Sequence, residues 1–237
     1  MSVTRSLTVV IPAFNEAGNI VGTLDNVTAA LAGLPIDPEI LVVDDGSADD
    51  TGALVTAYAA RHPAVRLLRN GQNLGFGATY RRGVAAAGGE FVVMVHGDNA
   101  WGAGTLRELF ARVGDADIVI GYTRDMWRSR SIARAIVSKA FTLLVNAIAG
   151  RRLKYYNGLQ IHRASVLKQL TIQSTGYGFQ AEVLVGALRL THSFVEVPVD
   201  LTERERGESK AFRLRNAVDV ARTLVRLRAL ASEASGR

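Results

Sequence analysis

Short apolar runs alternate along this sequence with longer segments whose apolar residues recur every three or four positions. The apolar runs are residues 7–11, 40–43, 65–68, 91–95 and 117–121. Continuous runs of this length are typical of strands buried on both faces of a sheet. The segments between them predict helices at residues 19–34, 50–61, 78–87 and 105–113, with Pro35 and Pro38 closing the first helix. This order predicts a single α/β domain with a mostly parallel, twisted sheet flanked by helices.

Polar residues stand directly after three of the predicted strands. They are Asn15 and Glu16 after the first strand, Asp44 and Asp45 after the second, and His96 and Asp98 after the strand 91–95. The carboxyl ends of parallel strands share one edge of a sheet, where open α/β sheets bind ligands. A single Asp at such a place is often only a helix N-cap, and Ser47 or Asp49 could cap here. Three acidic strand ends in one half of a domain instead predict a shared site.

Composition narrows the class of protein. Of 237 residues, 48% are hydrophobic and 21% charged, which allows a sizeable core and argues against disorder. Cysteine is absent, so a disulfide framework and a thiolate zinc site are excluded, and a reducing compartment is favoured. The sequence also lacks the layout of a signal peptide and the run of about 18 apolar residues that a membrane span requires.

The net charge of +6 is unevenly distributed. Arginine is dense in residues 122–154 and 204–228, whereas acidic residues concentrate in 37–50 and 108–125. A basic second half suits anionic partners such as acidic lipid head groups or a phosphorylated substrate, and a solvated basic surface is the plain alternative. No nucleic-acid partner is expected, because the aromatic interleaving of single-strand platforms is missing.

Several blocks of sequence carry a family resemblance. They are VVIPAFNEAGNI (9–20), ILVVDDGSADDT (40–51), NLGFGATYRRGVAAAGGEFVVMVHGDN (73–99) and DIVIGYTR (117–124). With these blocks the chain resembles the inverting nucleotide-sugar glycosyltransferases of family 2, which have the Rossmann-like GT-A fold. It is most similar to the polyprenyl- or dolichyl-phosphate sugar synthases through NGLQIHRASVL (157–167), GYGFQAEVLVGAL (176–188) and VEVPVDLTERERGESKAF (195–212).

This resemblance predicts how the chain is divided and what it binds. A GT-A domain would occupy residues 1–212, with a nucleotide-sugar half at 1–121 and an acceptor half at 122–212. A basic amphipathic helix and tail would follow at 213–237. The implied donor is a UDP- or GDP-sugar, and the implied acceptor is a polyprenyl phosphate. The residues implied to bind the donor nucleotide are Pro12, Ala13, Phe14, Glu16, Asp44, Asp45, Gly46, Gly75 and Gly77. An ordinary turn and helix start is the alternative for the last two glycines.

Asp98 is the catalytic residue that the resemblance implies. It would hold Mg²⁺ or Mn²⁺, which stabilises the charge on the diphosphate leaving group as a Lewis acid. The chain departs here from the family's Asp-x-Asp motif, because His96 stands at the first Asp position and Ala100 where related synthases often carry Gln. His96 could ligate the metal, bind ribose or phosphate, or only pack.

The acceptor side is arginine-rich. The resemblance implies that the acceptor phosphate is held by Arg124, Arg134, Ser138, Arg204 and Lys210, the last on a loop at 207–210 that closes over the site. A lipid phosphate is already anionic and needs no strong general base. Gln180 and Glu182 stand near the expected base position. Glu182 would be the base if the acceptor were a hydroxyl group, or it is an ordinary helix residue.

Two segments are mostly apolar with regularly placed polar residues. In residues 132–149 the polar positions form one stripe of a predicted helix, and residues 213–230 alternate arginine with apolar residues. Such helices lie in a membrane interface or against a partner. We therefore expect a cytoplasmic enzyme held peripherally at the inner face of the membrane. Packing on the sheet or in a homodimer interface is the alternative.

Two other functions remain open at this stage. The first is a family 2 glycosyltransferase whose acceptor is a hydroxyl group of a lipid, a glycan or a small molecule. The second is a nucleotide-sugar-binding protein whose catalysis is impaired because His96 replaces the first Asp.

Overall fold

The computed structural model describes residues 4–124, 132–174, 178–199 and 222–228, with the backbone alone for residues 132–134. The strands are β1 (Arg5–Ala13), β2 (Ile36–Asp44), β3 (Val65–Arg69), β4 (Phe91–Met94), β5 (Ile118–Thr123), β6 (Gln160–Arg163) and β7 (Phe194–Val199). The helices are α1 (Ile20–Leu31), α2 (Thr51–Ala59), α3 (Phe76–Ala86), α4 (Ala103–Phe110), α5 (Ile132–Ala149), α6 (Ala164–Leu167) and α7 (Phe179–Leu190). Residues 222–228 are also helical.

The strands form a seven-stranded sheet in the order β3-β2-β1-β4-β6-β5-β7. The four neighbours β3, β2, β1 and β4 are parallel, and so are β5 and β7. Strand β6 runs antiparallel between β4 and β5, so β5 points in the same direction as β4. The predicted α/β class with a mostly parallel sheet is confirmed.

Strand β2 is longer than its apolar run predicts. It begins at Ile36, and Pro38 lies inside it opposite Leu7 of β1 instead of closing α1. The outer neighbour β3 pairs only from Ile40 onward. The missing N–H of Pro38 therefore removes no hydrogen bond to β3, and the strand tolerates the proline.

Strand β6 was not predicted, because it contains no apolar run. Gln160 and His162 interrupt it, yet both are buried, at 6% and 1% exposure. At the end of the strand, the Arg163 guanidinium donates to Asp117 Oδ1 and to Glu90 Oε1, both at 2.6 Å. The hydrogen bonds from Arg163 and Thr191 hold the pKa of Asp117 below its ordinary value. These ion pairs join the starts of β4 and β5 at the sheet edge opposite the candidate site.

The sheet is covered on both faces. Val9 and Ile11 of β1 belong to a core cluster with α1 and α4, whereas Val10 points to the other face and packs with α3. A Cβ at Gly83 of α3 would overlap Val10 Cγ1, so this glycine lets the helix approach the sheet closely. The layers hold the carboxyl ends of β1, β2 and β4 in a fixed position.

His162 is a buried ionisable group in the middle of the antiparallel pairing. Its Nε2 lies 3.1 Å from Gln160 Oε1, and its Nδ1 has no hydrogen-bond partner among the described residues. Burial lowers the pKa of His162 to about 3. The side chain is therefore neutral in the folded protein at any pH near neutrality.

This burial predicts an acid-sensitive stability. Between pH 6.5 and about 3, His162 is protonated in the unfolded chain but not in the folded chain. The free energy of unfolding therefore decreases as the pH falls through this window, with a slope of up to about 1.4 kcal/mol per pH unit from this one proton. Urea unfolding of His162→Gln at a series of pH values should show a shallower dependence between pH 6.5 and 4.5.

The exposed His192 provides the control for this prediction. His192→Gln should retain the wild-type pH dependence of unfolding. If the free energy of unfolding depends on pH equally steeply in His162→Gln and in wild type, His162 is not the cause of the acid sensitivity.

Candidate active site

The polar segments that follow β1, β2 and β4 meet at one edge of the sheet. In the parallel register Ala13 lies beside Asp44, and Val10 lies beside Met94. A Cβ at Gly97 would lie 3.2 Å from the Pro12 carbonyl oxygen. The predicted convergence of the three strand ends is confirmed.

The loops after β1 and β2 are tied to each other by side chains. The Asn15 amide donates to Ser47 Oγ at 2.9 Å, and the Ala48 amide donates to Asn15 Oδ1 at 2.9 Å. Asn15 has a φ of +54°, a left-handed conformation that asparagine tolerates better than most residues. Next to it, Phe14 is 45% exposed. The edge therefore presents an aromatic ring on a fixed loop.

Asp44 lies at the end of β2 and is 3% exposed. Its Oδ1 accepts a hydrogen bond from the Ser47 amide at 2.9 Å, and its Oδ2 lies 3.4 Å from Arg69 Nε. The Asp44 carboxylate thus stabilises the loop that follows it and pairs on one side with the Arg69 guanidinium. Its predicted contact with the nucleotide stays a prediction.

Asp45 has a different set of contacts from Asp44, because it holds the loop after β3. Its Oδ1 accepts hydrogen bonds from Asn70 Nδ2 at 2.6 Å and the Leu74 amide at 2.9 Å. Its Oδ2 accepts one from the Gly75 amide at 2.9 Å. At 3% exposure, this side chain has the contacts of a loop anchor. We therefore assign Asp45 a positioning role beside its predicted role in nucleotide binding.

Two predicted glycines are explained by the same loop. Gly46 has a φ of +73°, and a Cβ there would lie 2.7 Å from the Gln72 carbonyl carbon. Gly75 has a φ of +85° at the start of α3, but a Cβ would meet nothing within 4 Å. Gly46 is therefore required by close packing and conformation, and Gly75 by conformation alone. Gly77 is buried in the first turn of α3.

The segment that carries Asp98 is held by α1. Thr23 Oγ1 accepts from the Asn99 amide at 3.0 Å, and its one proton is shared between the Gly97 carbonyl at 3.1 Å and the Asn19 carbonyl at 3.2 Å. Asn26 Nδ2 donates to Asn99 Oδ1 at 2.9 Å. One buried hydroxyl thus fixes the backbone on both sides of the candidate catalytic residue.

The sequence analysis missed Thr23 and Asn26, because polar residues inside an amphipathic helix pattern are ordinary. Their spacing of three residues on α1 places both on one helical face. That spacing was the available signal, but it did not say which loop they face.

His96 packs against an aromatic ring. Its imidazole stacks on Phe76 of α3, with the ring centroids 5.0 Å apart and the planes 10° from parallel. Phe76 in turn meets Phe179 of α7 edge to face at 5.5 Å. The stacking places the start of α3 beside the Asp98 segment, so the donor-side loop and the candidate metal side are in contact.

The residues at this edge fit a divalent cation that is shared with a substrate. No group of three or more His, Cys, Asp or Glu side chains that could hold a metal ion occurs among the described residues. Mg²⁺ is commonly held by one or two carboxylates together with substrate phosphates and water. Half-buried Asp98 supplies one such carboxylate, and the His96 imidazole stands two residues before it.

The structure describes the side chains of two of the five residues that are predicted to bind the acceptor phosphate. Arg124 follows β5 and is exposed, and its amide donates to the Val199 carbonyl at 3.1 Å. Ser138 is half-buried on α5. Arg134 lies in the first turn of α5, where only the backbone is described, and Arg204 and Lys210 lie outside the described residues. These five assignments stay predictions.

Glu182 is buried at 4% exposure on α7. Its Oε1 accepts a hydrogen bond from the Gln173 amide and its Oε2 one from the Ser174 amide, both at 2.9 Å. Both oxygens are thus engaged by the backbone. Nearby Gln180 donates to the Gly158 carbonyl at 3.2 Å. These contacts favour a structural role for Glu182 over that of a general base.

The described polar residues of α5 are divided between inside and outside, because Ser138, Thr142 and Asn146 are buried or half-buried whereas Lys139 is exposed. Thr142 is 7% exposed, and Asn146 exchanges hydrogen bonds with the backbone of Leu153, both at 2.9 Å. Four large apolar residues of the helix are also largely exposed: Ile136 54%, Val137 56%, Leu143 60% and Leu144 47%. The helix therefore presents an apolar face to its surroundings.

The described part of the predicted tail helix packs on the protein. Within residues 222–228, Leu227 is fully buried in a core cluster with α7, and Thr223 Oγ1 lies 3.1 Å from Ser174 Oγ. Arg226 donates to the same Ser174 hydroxyl at 3.1 Å. Val225 remains 72% exposed. The described residues contain no helix that is long and apolar enough to cross a membrane.

Solved structures of glucosyl-3-phosphoglycerate synthase from Mycobacterium tuberculosis share this fold. The complex with UDP gives a TM-score of 0.73 at 20% identity, covering 95% of this chain and 80% of that one. The complex with Mn²⁺, UDP-glucose and phosphoglyceric acid gives 0.71 at 21% identity with the same coverage. At this identity the likeness shows a shared fold, the GT-A type that the sequence predicted.

The chain belongs to glycosyl transferase family 2, whose sequence model matches residues 8–166. Undecaprenyl-phosphate mannosyltransferase of Micrococcus luteus is 32% identical over 216 residues, which cover 87% of each chain. Dolichyl-phosphate beta-glucosyltransferase of Dictyostelium discoideum is 28% identical over 246 residues, covering 94% of this chain and 73% of its own. The family resemblance predicted from the sequence is confirmed, and the protein is a glycosyltransferase.

The contacts of Thr23 predict a loss of activity from a substitution outside the site. Thr23→Val removes the hydroxyl and leaves the buried Gly97 carbonyl and the Asn99 amide without this partner, which costs about 1–3 kcal/mol of stability. Because the Asp98 segment is then less well fixed, we expect kcat/KM for sugar transfer to fall by about 10- to 100-fold.

Thr23→Ser is the matched control, because it keeps the hydroxyl and loses only a methyl group. It should retain kcat/KM within a few-fold, measured by nucleotide diphosphate release beside a thermal unfolding curve. A folded Thr23→Val variant with wild-type kcat/KM would contradict the positioning role.

Proposed function

We propose that this glycosyltransferase moves a sugar from a nucleotide-diphosphate sugar to a polyprenyl phosphate, with inversion at the sugar carbon. The observation that carries the choice of acceptor is the engagement of both Glu182 oxygens by backbone amides. A hydroxyl acceptor needs a base to remove its proton, whereas a phosphate acceptor is already an anionic nucleophile. The names of the relatives in M. luteus and D. discoideum agree with this acceptor.

The donor nucleotide would bind in the cleft between the loops after β1, β2 and β3. Phe14 offers an exposed ring to the base, and the carboxylates of Glu16 and Asp44 suit ring N–H groups and ribose hydroxyls. Asp45 holds the 70–75 loop in place as the third wall. The base would be uracil or guanine.

The diphosphate would lie beside Asp98 at the end of the strand. Asp98, with His96 as a second donor, would hold Mg²⁺ or Mn²⁺ there, and this ion supplies Lewis-acid stabilisation of the leaving diphosphate. Structures of the same fold contain Mn²⁺ or Mg²⁺ together with UDP, which supports a divalent ion for this chain. Thr23 fixes the segment in which both donors lie.

The reaction itself is a displacement at the anomeric carbon. An oxygen of the acceptor phosphate attacks this carbon while its bond to the diphosphate oxygen breaks, and the nucleoside diphosphate leaves. No proton has to be removed from the acceptor. Arg124, with the predicted Arg134, Ser138, Arg204 and Lys210, would screen the repulsion between the anionic acceptor and the anionic donor, since guanidinium groups bind phosphate in a bidentate manner.

The exposed face of α5 supports a peripheral contact with the membrane that contains the acceptor. Leu143 is 60% and Val137 56% exposed on one side of this helix, and an apolar helical face of this kind inserts into the boundary between head groups and acyl chains. The cytoplasmic leaflet is the expected location. A homodimer that covers the same face would be the competing arrangement.

A substrate panel tests this function. UDP-, GDP- and TDP-sugars are incubated with a polyprenyl phosphate, with the corresponding polyprenol, or with phosphoglyceric acid, each with Mg²⁺, Mn²⁺ or a chelator. We expect nucleotide diphosphate release and a glycosyl-phospholipid product only with the polyprenyl phosphate. Transfer to the polyprenol or to phosphoglyceric acid at an equal rate would contradict the proposed acceptor.

Glu182→Gln separates the two kinds of acceptor chemistry. If Glu182 is structural, a folded variant should keep transfer to the polyprenyl phosphate within about 10-fold of wild type. Removal of a general base typically costs on the order of 10²–10⁴-fold in rate, and a loss of that size with an unchanged unfolding curve would assign the base role to Glu182.

A further inference from the structure

The segment that precedes β6 lies between the donor side and the acceptor side of the candidate site. Strand β6 runs antiparallel between β4 and β5. Continued beyond the paired residues, the register with β4 brings Asn157 opposite Gly97, and the register with β5 brings it opposite Thr123. These two positions adjoin Asp98 and Arg124. Asn157 therefore occupies the part of the sheet edge that separates the proposed metal ligand from the proposed acceptor ligand.

This segment is fixed on both sides of the asparagine. Gln160 Nε2 donates to the Tyr156 carbonyl, and Gln180 Nε2 donates to the Gly158 carbonyl at 3.2 Å. A Cβ at Gly158 would overlap the Gly121 carbonyl oxygen, so the glycine lets the segment pack directly on the backbone of β5. The asparagine between these two carbonyls is thus held on a well-defined backbone.

The Asn157 side chain has hydrogen-bonding capacity that the fold does not use. Its Oδ1 is enclosed yet has no hydrogen-bond partner among the described residues, while the residue as a whole is half-buried. The nearby amides of Asn146 and Gln180 donate to backbone carbonyls instead. An unpaired buried oxygen costs free energy, and such an atom in a native protein calls for a partner. Because the terminal torsion of asparagine is broad and roughly two-fold, rotation can offer either the oxygen or the NH₂ group to a ligand.

A neutral amide at this place suits the hydroxyl groups of a sugar. An amide both donates and accepts hydrogen bonds, as a hydroxyl group does, whereas phosphate groups are best bound by guanidinium groups such as that of Arg124. In the proposed displacement, the anomeric carbon has to lie between the leaving diphosphate and the attacking phosphate oxygen. Neighbouring strands lie about 4.8 Å apart, so a sugar ring held between Asp98 and Arg124 would be within reach of Asn157.

We propose that Asn157 hydrogen-bonds a hydroxyl group of the donor sugar and thereby contributes to the choice of sugar. This role rests on the proposed function, and it adds a residue that recognises the sugar instead of the nucleotide or the acceptor. Gln160 and Gln180 are already bonded to backbone carbonyls. They act as positioning residues that hold Asn157 in place.

Donor binding without any acceptor provides the first test. Isothermal titration calorimetry with Mg²⁺ compares wild type and Asn157→Ala, with the UDP-, GDP- or TDP-sugar that binds most tightly and with the matching nucleoside diphosphate. The nucleotide-sugar should bind the variant about 5- to 10-fold more weakly, the contribution of one hydrogen bond between neutral groups. The nucleoside diphosphate should bind both proteins equally. Equal weakening of the two ligands, or of neither, would overturn the proposal.

Deoxy analogues of the same nucleotide-sugar identify the hydroxyl group. Analogues that lack the hydroxyl at C2, C3, C4 or C6 are bound to wild type and to Asn157→Ala in a double-mutant cycle. One analogue should bind wild type about 5- to 10-fold more weakly than the parent sugar does, yet bind Asn157→Ala as well as the parent does. If Asn157→Ala weakens every analogue as much as the parent, the side chain contacts no sugar hydroxyl and the proposal is wrong.

Thermal unfolding separates sugar recognition from a structural role. Because Asn157 Oδ1 has no partner among the described residues, Asn157→Ala leaves no described group unsatisfied and should keep the melting temperature within about 2 °C of wild type or raise it. Gln169→Ala removes an exposed amide after α6 and is the control, with unchanged melting temperature and unchanged sugar binding. A lower melting temperature of Asn157→Ala with an unchanged preference for nucleotide-sugar over nucleoside diphosphate would show a structural role and overturn the proposal.

Sugar transfer is assayed separately. Absence of transfer to polyprenyl phosphate from every donor would refute the proposed function, while the binding measurements would still report on Asn157. If Asn157→Ala raises KM for polyprenyl phosphate and leaves the discrimination among sugars unchanged, the residue belongs to the acceptor side and the proposal is overturned.

Discussion

The Thr23 hydroxyl is the contact on which the candidate active site depends most. It donates to the Gly97 carbonyl and accepts from the Asn99 amide, so the backbone around Asp98 is fastened to α1. Parallel pairing of β1 with β2 and β4 brings the three polar strand ends to one edge, but pairing alone does not fix the loops beyond the strands. The Thr23 contacts fix the segment around Asp98 relative to α1.

The acidic residues of this edge divide into two groups. Asp45 accepts three hydrogen bonds from the loop after β3, and Glu182 accepts two from the backbone before α7. These buried carboxylates position segments of chain, since a buried charge is stable only where it is fully hydrogen-bonded. Asp98 is half-buried on the segment that follows β4. The proposed reaction requires few groups to act in the chemistry, since a phosphate acceptor is already ionised.

The sequence predicted the parallel half of the sheet and the converging strand ends because both follow from local patterns. It did not predict β6, since Gln160 and His162 are buried polar residues that interrupt any apolar run. It placed the polar residues of α5 in one stripe but did not predict that Asn146 holds the backbone of Leu153, because that contact depends on the path of the chain after the helix. The roles of Thr23 and Asp45 depend on neighbours that are distant along the chain. Periodicity carries no information about which partner a polar side chain will meet.

The central claim is that Asp98 performs the chemistry of transfer to a lipid phosphate. The most direct measurement compares single-turnover transfer from the preferred nucleotide-sugar to polyprenyl phosphate in wild type and in Asp98→Asn, with donor affinity and thermal unfolding measured on the same samples. The account predicts that transfer falls by on the order of 10³-fold or more while the fold is retained, because the proposed divalent ion would lose the one carboxylate of the segment 96–99. Transfer within a few-fold of wild type would contradict it.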